Sequence, residues 1–233
     1  MLVQSMSEPV FCRPAAYQLF VDSLPVLKTL DGLLNAAIAI SMHAIDDINP
    51  DDVRQPLWEM AARVMRRAKS GASSALVAHL HAVLFDEEMF CGNSENYFSA
   101  INSYLPCVLR QKRGLPIALA LIYKVVGERA GVVVHGVNSP GHFLLRVYDQ
   151  GAPMIVDPFF RGQMLTCAEA FERLRHVTNR RIPHDDRLLA AATHRQWIGR
   201  MVTNLQVLFH DQGNDCDESA MKELRQALDS APL

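Results

Sequence analysis

The sequence has no excess of charge of either sign, no membrane-length apolar run and no paired-cysteine motif. Each deficit removes a class of function. Twenty-three basic residues face 25 acidic ones, a formal net charge of -2, which gives no domain-wide field for nucleic acid or an anionic membrane. The longest apolar stretches, such as Leu33 to Ile40 with Asn35 inside it, fall far short of the roughly 20 residues that span a bilayer. Met1 to Phe11 lacks the basic start of a secretory signal. Cys12, Cys91, Cys107, Cys167 and Cys216 are odd in number and widely spread, without a C-x-x-C pair for zinc or thiol exchange. Free thiols in a cytoplasmic chain are expected, with no metal and no cofactor. What is present is 49% hydrophobic residues in 233, enough for one sizeable core or two small ones and too much for a disordered chain.

From Ala15 to about Glu88 the pattern is helical. Leu33, Leu34, Ala37, Ile38 and Met42 recur at helical spacing, Asn49-Pro50-Asp51-Asp52 reads as a capped start, and Trp58, Met60, Ala61, Val64 and Met65 continue an apolar face. Ser73 to Phe85 makes another amphipathic helix, after a break at Lys69-Ser70-Gly71. Past Phe90 the texture changes: Ser103 to Arg113 and the strongly apolar Pro116 to Ala130 read as helices, the latter ended by Gly131. Val132 to Val137, His142 to Tyr148 and Met154 to Asp157 read as strands, the last two joined by Asp149-Gln150-Gly151. Thr166 to His176, Thr193 to His210 and Ser219 to Leu228 return to helix. The expected class is α+β, a buried helix packed on a small antiparallel sheet with helical parts at both ends. The expected organisation is a helical part over 1–88, a core over 89–178 and C-terminal helices over 179–233, forming one compact body.

The specific strings lie between Phe90 and Gly162. They are Phe90-Cys91-Gly92-Asn93, Asn102-Ser103-Tyr104-Leu105, Arg113-Gly114-Leu115-Pro116-Ile117, Gly136 through Ser139-Pro140-Gly141-His142 to Arg146, and Val156-Asp157-Pro158-Phe159. Together, in this order, they resemble the SirB-one family of bacterial transglutaminase-like proteins, whose domain also occurs in a eukaryotic F-box-only protein. The resemblance runs from about Leu33 to Leu208. The chain departs from it by ending soon after Leu228, where longer members continue into a tetratricopeptide-like tail, and by a weaker match over Asn214 to Asp217.

The resemblance implies the fold of transglutaminases and papain-like enzymes, in which a cysteine at a helix N-terminus faces a histidine and an aspartate on neighbouring strands. The helix terminus stabilises thiolate, the imidazole moves the proton and the aspartate fixes the tautomer. His142 and Asp157 match that pair, and a hairpin between them would bring their side chains together. Superfamily enzymes open the apolar helix with Gly-x-Cys, whereas the matching string here is Gly114-Leu115-Pro116. Proline carries no nucleophile, although it suits the first turn of a helix. Asn102, Ser103, Arg113, Gly114 and Arg146 complete the motif set; Ser103 reads as a cap for the helix after it, and Arg113 and Arg146 as residues that line the cleft or pair with Asp157. Cys91 and Cys107 are the alternative nucleophiles, against a plainer reading of one as a loop thiol and the other as a small core residue.

Other polar groups carry less. His79 and His81, two apart on a helix, point to different faces and do not suit a shared metal. His210, Asp211, Asp215, Cys216 and Asp217 lack ligand spacing and read as a polar loop. Arg173, Arg175, Arg180, Arg181, Arg187 and Arg195 read as a solvated face, with an acidic partner or nucleic acid as the alternative. Three functions remain: a non-catalytic scaffold, or pseudoenzyme, that binds a protein or peptide beside His142 and Asp157; a cysteine-dependent amide or thioester hydrolase or acyltransferase with a relocated nucleophile; and a helical adaptor. No nucleic acid and no membrane are expected as partners.

Overall fold

Helices α1 (Pro14–Ser23) and α2 (Leu30–Ala44) pack on one another, and α1 also packs on the last helix, α9 (Asp215–Ser230). The computed structural model describes residues 8–68, 73–148 and 153–232. Its contacts define two units, one of 1–48 with 198–233 and one of 49–197, whereas the sequence pattern placed divisions at 88 and 178. The reason lies in α3 (Pro50–Arg67), whose apolar face of Val53, Leu57, Met60, Ala61 and Val64 is buried. That face has its partners in α4 (Ser73–His81), α5 (Leu105–Gln111) and α6 (Pro116–Arg129), so the first helical stretch is divided between the units. Among the described residues no helix is long and apolar enough to cross a membrane.

In the first unit the carboxylate of Glu223 on α9 accepts the backbone N–H groups of Val10 and Cys12, both at 2.8 Å, and of Phe11. His43 is buried and stands 3.2 Å from Asp217. The polar run 210–217, expected as a loop, is largely helical: Asn214 caps α9 by accepting the Asp217 N–H at 3.2 Å, and Asp215, Asp217 and Glu218 sit in a first turn that favours negative charge.

In the second unit Asn49 caps α3, with Pro50 in its first turn. The break at Lys69-Ser70-Gly71 and the turn Asp149-Gln150-Gly151 lie outside the described residues. The helix expected from Ser73 to Phe85 widens after His81 into a π-helical stretch, Ala82–Glu87. Helix α6 is buried almost throughout and carries Lys124, whose Nζ donates to the Val134 carbonyl at 2.6 Å and pairs with Glu128. Gly131, at φ +97°, ends it, with the Val132 N–H returning to the Gly127 carbonyl.

Two short strands, β1 (Cys91–Gly92) and β2 (Arg113–Gly114), pair in parallel. The main sheet is antiparallel with order β6-β5-β4-β3-β7, where β3 is Val133–Val137, β4 Leu144–Tyr148, β5 Met154–Asp157, β6 Gln163–Leu165 and β7 Ala191–Ala192. Helix α6 packs on β3 and β4. Helix α7 (Cys167–Thr178) contributes Ala170, Phe171 and Leu174 to a cluster with Val137, Leu144, Ile155 and Leu165. The α+β class expected from the sequence is the observed one, with two more strands in the sheet than the pattern suggested. Edge strand β7 pairs with β3 through Ala191 and Ala192 alone, too short to leave a periodic signal.

Candidate functional site

Asp157 is the last residue of β5, and its carboxylate is fully buried. It caps the single turn Pro158–Phe160 by accepting the Phe159 N–H at 3.1 Å. His142, 3% exposed, places Nε2 at 3.0 Å from both carboxylate oxygens. With a carboxylate as its only described partner, that nitrogen carries the proton. Among the described residues Nδ1 has no hydrogen-bond partner. His142 lies two residues before β4 rather than opening it. Ser139 and Gly141, at φ +67°, shape the loop that delivers it, the Ser139 hydroxyl donating to the Leu188 carbonyl at 2.8 Å.

The third member of this network is Arg173, which is turned inward and does not belong to the solvated basic face expected from the sequence. Arg173 of α7 donates from Nη1 to Asp157 Oδ2 at 2.9 Å and from Nη2 to Gln163 Oε1 at 2.6 Å, and its guanidinium lies 3.8 Å from the centroid of Phe160. The available signal was its place three residues after Ala170 and beside Leu174, on the edge of the buried stripe of α7. Neither Arg113 nor Arg146 pairs with Asp157. Arg113 is exposed and reaches Glu95 at 3.4 Å. Arg146 sits in β4 opposite His135, and its Nε is buried without a partner. The His135 imidazole is held below its usual pKa by burial and by the nearby Lys124 and Arg146 charges, against the pull of Glu128.

Asn102 is fully buried and organises the approach to α6. Its Oδ1 accepts from Asn93 Nδ2 at 2.9 Å, its Nδ2 donates to the Asn96 carbonyl at 2.6 Å, and its own carbonyl accepts the Leu115 N–H at 2.9 Å. Gly114 is required there because a Cβ would come within 3.2 Å of the Asn102 carbonyl and 2.9 Å of Val108. Ser103 is buried, but it does not cap α5: it closes the preceding 3-10 turn, Ala100–Asn102, and Tyr104 occupies the N-cap position without a side-chain bond. Pro116 is the first residue of α6 and is buried.

The two thiols differ in setting. Cys107 is buried in α5, and burial raises its pKa despite Arg110, the reverse of activation. Cys91 is half-buried in β1, next to Gly92, whose missing Cβ makes room for the Phe159 ring. Phe159 contacts the His142 ring at 6.0 Å between centroids. From there aromatic rings continue outward: Tyr97 lies 5.9 Å from Phe159, and Phe98, 79% exposed, lies 5.3 Å from Tyr97. No local pattern marks these rings as a series, because they come from two separate stretches of chain. Among the described residues no three His, Cys, Asp or Glu side chains group as metal ligands.

The family model of the transglutaminase-like superfamily matches residues 51–203. The chain belongs to the transglutaminase-like superfamily. The transglutaminase-like chain is 36% identical over 137 residues to a UPF0162 protein of Xylella fastidiosa, covering 57% of the chain and 48% of that protein. It is 32% identical over 166 residues to F-box only protein 21 of Mus musculus, covering 67% of the chain and 25% of that protein. A UPF0162 protein of Pseudomonas aeruginosa is 25% identical over 201 residues, covering 86% of the chain and 73% of the relative. The chain thus matches about half the length of the first of these relatives and a quarter of the second. No solved structure matches it.

Proposed function

We propose that this transglutaminase-like chain is a non-catalytic scaffold that binds a protein or peptide beside His142 and Asp157. The observation that carries the reading is Pro116 at the first position of α6, where the superfamily resemblance places the thiol. A pyrrolidine ring offers neither nucleophile nor N–H, so no acyl-enzyme forms there. The His142–Asp157–Arg173 network and the ring series from Phe159 to exposed Phe98 support a recognition role, because aromatic side chains give large, rigid contact area. A second reading, a hydrolase or acyltransferase with Cys91 as relocated nucleophile, is favoured by the neighbour of Cys91, Gly92, which lies against the Phe159 ring. Cys107 is a poor alternative because burial raises its pKa.

One set of assays decides between them. The purified chain is expected to show no thiol-dependent amine incorporation or amide hydrolysis, and His142→Ala is expected to leave iodoacetamide labelling of Cys91 unchanged. Pro116→Cys is expected to gain a rapidly labelled thiol that slows again when His142 is also replaced. Fast labelling of Cys91 that disappears in His142→Ala overturns the non-catalytic reading.

A further inference from the structure

The stretch 173–187 holds five arginines against two aspartates, a local surplus of three positive charges in a chain whose formal net charge is -2. The structure accounts for part of this surplus. Arg173 is committed to Asp157, and Arg187 grips Asp185 with Nε at 2.9 Å and Nη2 at 2.7 Å. Arg175 lies between His184 at 3.1 Å and Glu172 at 3.9 Å. Arg180 and Arg181 are exposed, and among the described residues neither has an ion pair. They are adjacent in a segment held at both ends. Thr178 closes α7 with its hydroxyl on the Leu174 carbonyl at 2.6 Å, Asn179 turns the chain at φ +50°, and Ile182 and Leu189 are buried in the cluster beneath.

This edge adjoins the candidate site. A Cβ on Gly141 would collide with Thr178, so the residue before His142 packs against the end of α7 only because it is glycine. The two unpaired guanidinium groups therefore follow Thr178 by two and three residues, on a segment fixed before any partner arrives.

We infer that the segment docking beside His142 is acidic, with aspartate or glutamate carboxylates paired to Arg180 and Arg181. This inference rests on the binding role proposed above. Planar guanidinium groups recognise carboxylates through paired hydrogen bonds. Nucleic acid fits the edge less well: Asp185 and Asp186 interrupt the basic run, and the chain's net charge gives no supporting field.

The test uses the full chain and a short fluorescein-labelled peptide of alternating glutamate and serine, with a lysine and serine peptide and a single-stranded oligonucleotide of equal charge as comparisons. Fluorescence anisotropy is expected to give salt-sensitive binding of the acidic peptide. The double substitution Arg180→Gln with Arg181→Gln is expected to weaken binding about tenfold, Arg180→Lys with Arg181→Lys much less, and Arg66→Gln with Arg110→Gln not at all. The peptide is also expected to slow amide hydrogen exchange over 139–143. The inference is overturned by no binding, by unchanged affinity in the double glutamine variant, by an equal loss in the Arg66 and Arg110 variant, or by tighter binding of the oligonucleotide. Thiol-dependent turnover together with the expected peptide results overturns the non-catalytic reading and leaves the acidic partner supported, so the two can fail separately.

Discussion

Replacing Arg173 by methionine removes the cation from a fully buried carboxylate while keeping an unbranched side chain over Phe160. Asp157 then retains His142 and the Phe159 N–H, neither of which carries a fixed positive charge. Breaking one side of a buried ion pair costs about 3–5 kcal/mol. The Arg173 side chain is 15% exposed, so water offsets part of the loss and the lower end, about 3 kcal/mol, is expected. The lost guanidinium contact with Phe160 is worth about 1 kcal/mol within that figure. Asp157→Asn combined with Arg173→Met is expected to be less destabilised than the two single effects added together, by at least about 1 kcal/mol, because the amide no longer needs a cation. Urea unfolding followed by tryptophan fluorescence reads this directly, since Trp58 and Trp197 both lie in the unit 49–197. A loss below about 1 kcal/mol, the range of an exposed pair, or simple additivity refutes the reasoning.

Two further perturbations address the same unit. Burial holds the His81 imidazole below its usual pKa, with Asp86 pulling the other way; the unfolded chain therefore takes up a proton near pH 6.5 before the folded chain does. Stability is full above that pH and falls as pH drops toward the folded value, by at most about 1.4 kcal/mol per unit, and His81→Gln is expected to flatten the urea midpoint against pH; identical slopes refute the assignment. Gly136→Ala is expected to cost about 1–3 kcal/mol, because a Cβ there meets the Trp197 ring and comes within 2.9 Å of Phe143. An unshifted urea midpoint shows that the sheet yields at that point.

What the sequence revealed and what it hid divide along physical lines. Helix α6 and strands β3 to β5 were legible because each sets a continuous apolar pattern against a neighbour adjacent in the chain. His142 and Asp157 were legible as a pair because one hairpin joins them. Arg173 was not, since nothing local distinguishes an arginine turned inward from one in water; its partner Asp157 is set by how α7 lies across the sheet. Ser103 was misplaced because a serine before an apolar run resembles a cap, while Pro106 lets α5 begin one residue later without one. The division of the chain was hidden for a similar reason: α2 and α3 both read as helices, and a helical pattern does not say which elements the helix packs on.

The network poses an energetic question that the proposed reading answers. A buried ionic group rarely increases stability over well-packed apolar residues of the same shape, so the Asp157 carboxylate needs another reason to be there. Its three partners lie on three separate segments: His142 at the end of the loop 138–142, Phe159 in the turn after β5, and Arg173 on α7. Apolar packing could fill that space but could not set these segments in one orientation, because dispersion is not directional whereas each hydrogen bond is. The same segments hold Phe159, Phe160 and Gly141, the last against Thr178 just before Arg180 and Arg181. On the proposed reading the carboxylate that would orient a catalytic imidazole instead holds the aromatic and the basic edges of a recognition surface in register. On the same reading His142 Nδ1, without a hydrogen-bond partner among the described residues, is the ring nitrogen that meets the docked segment.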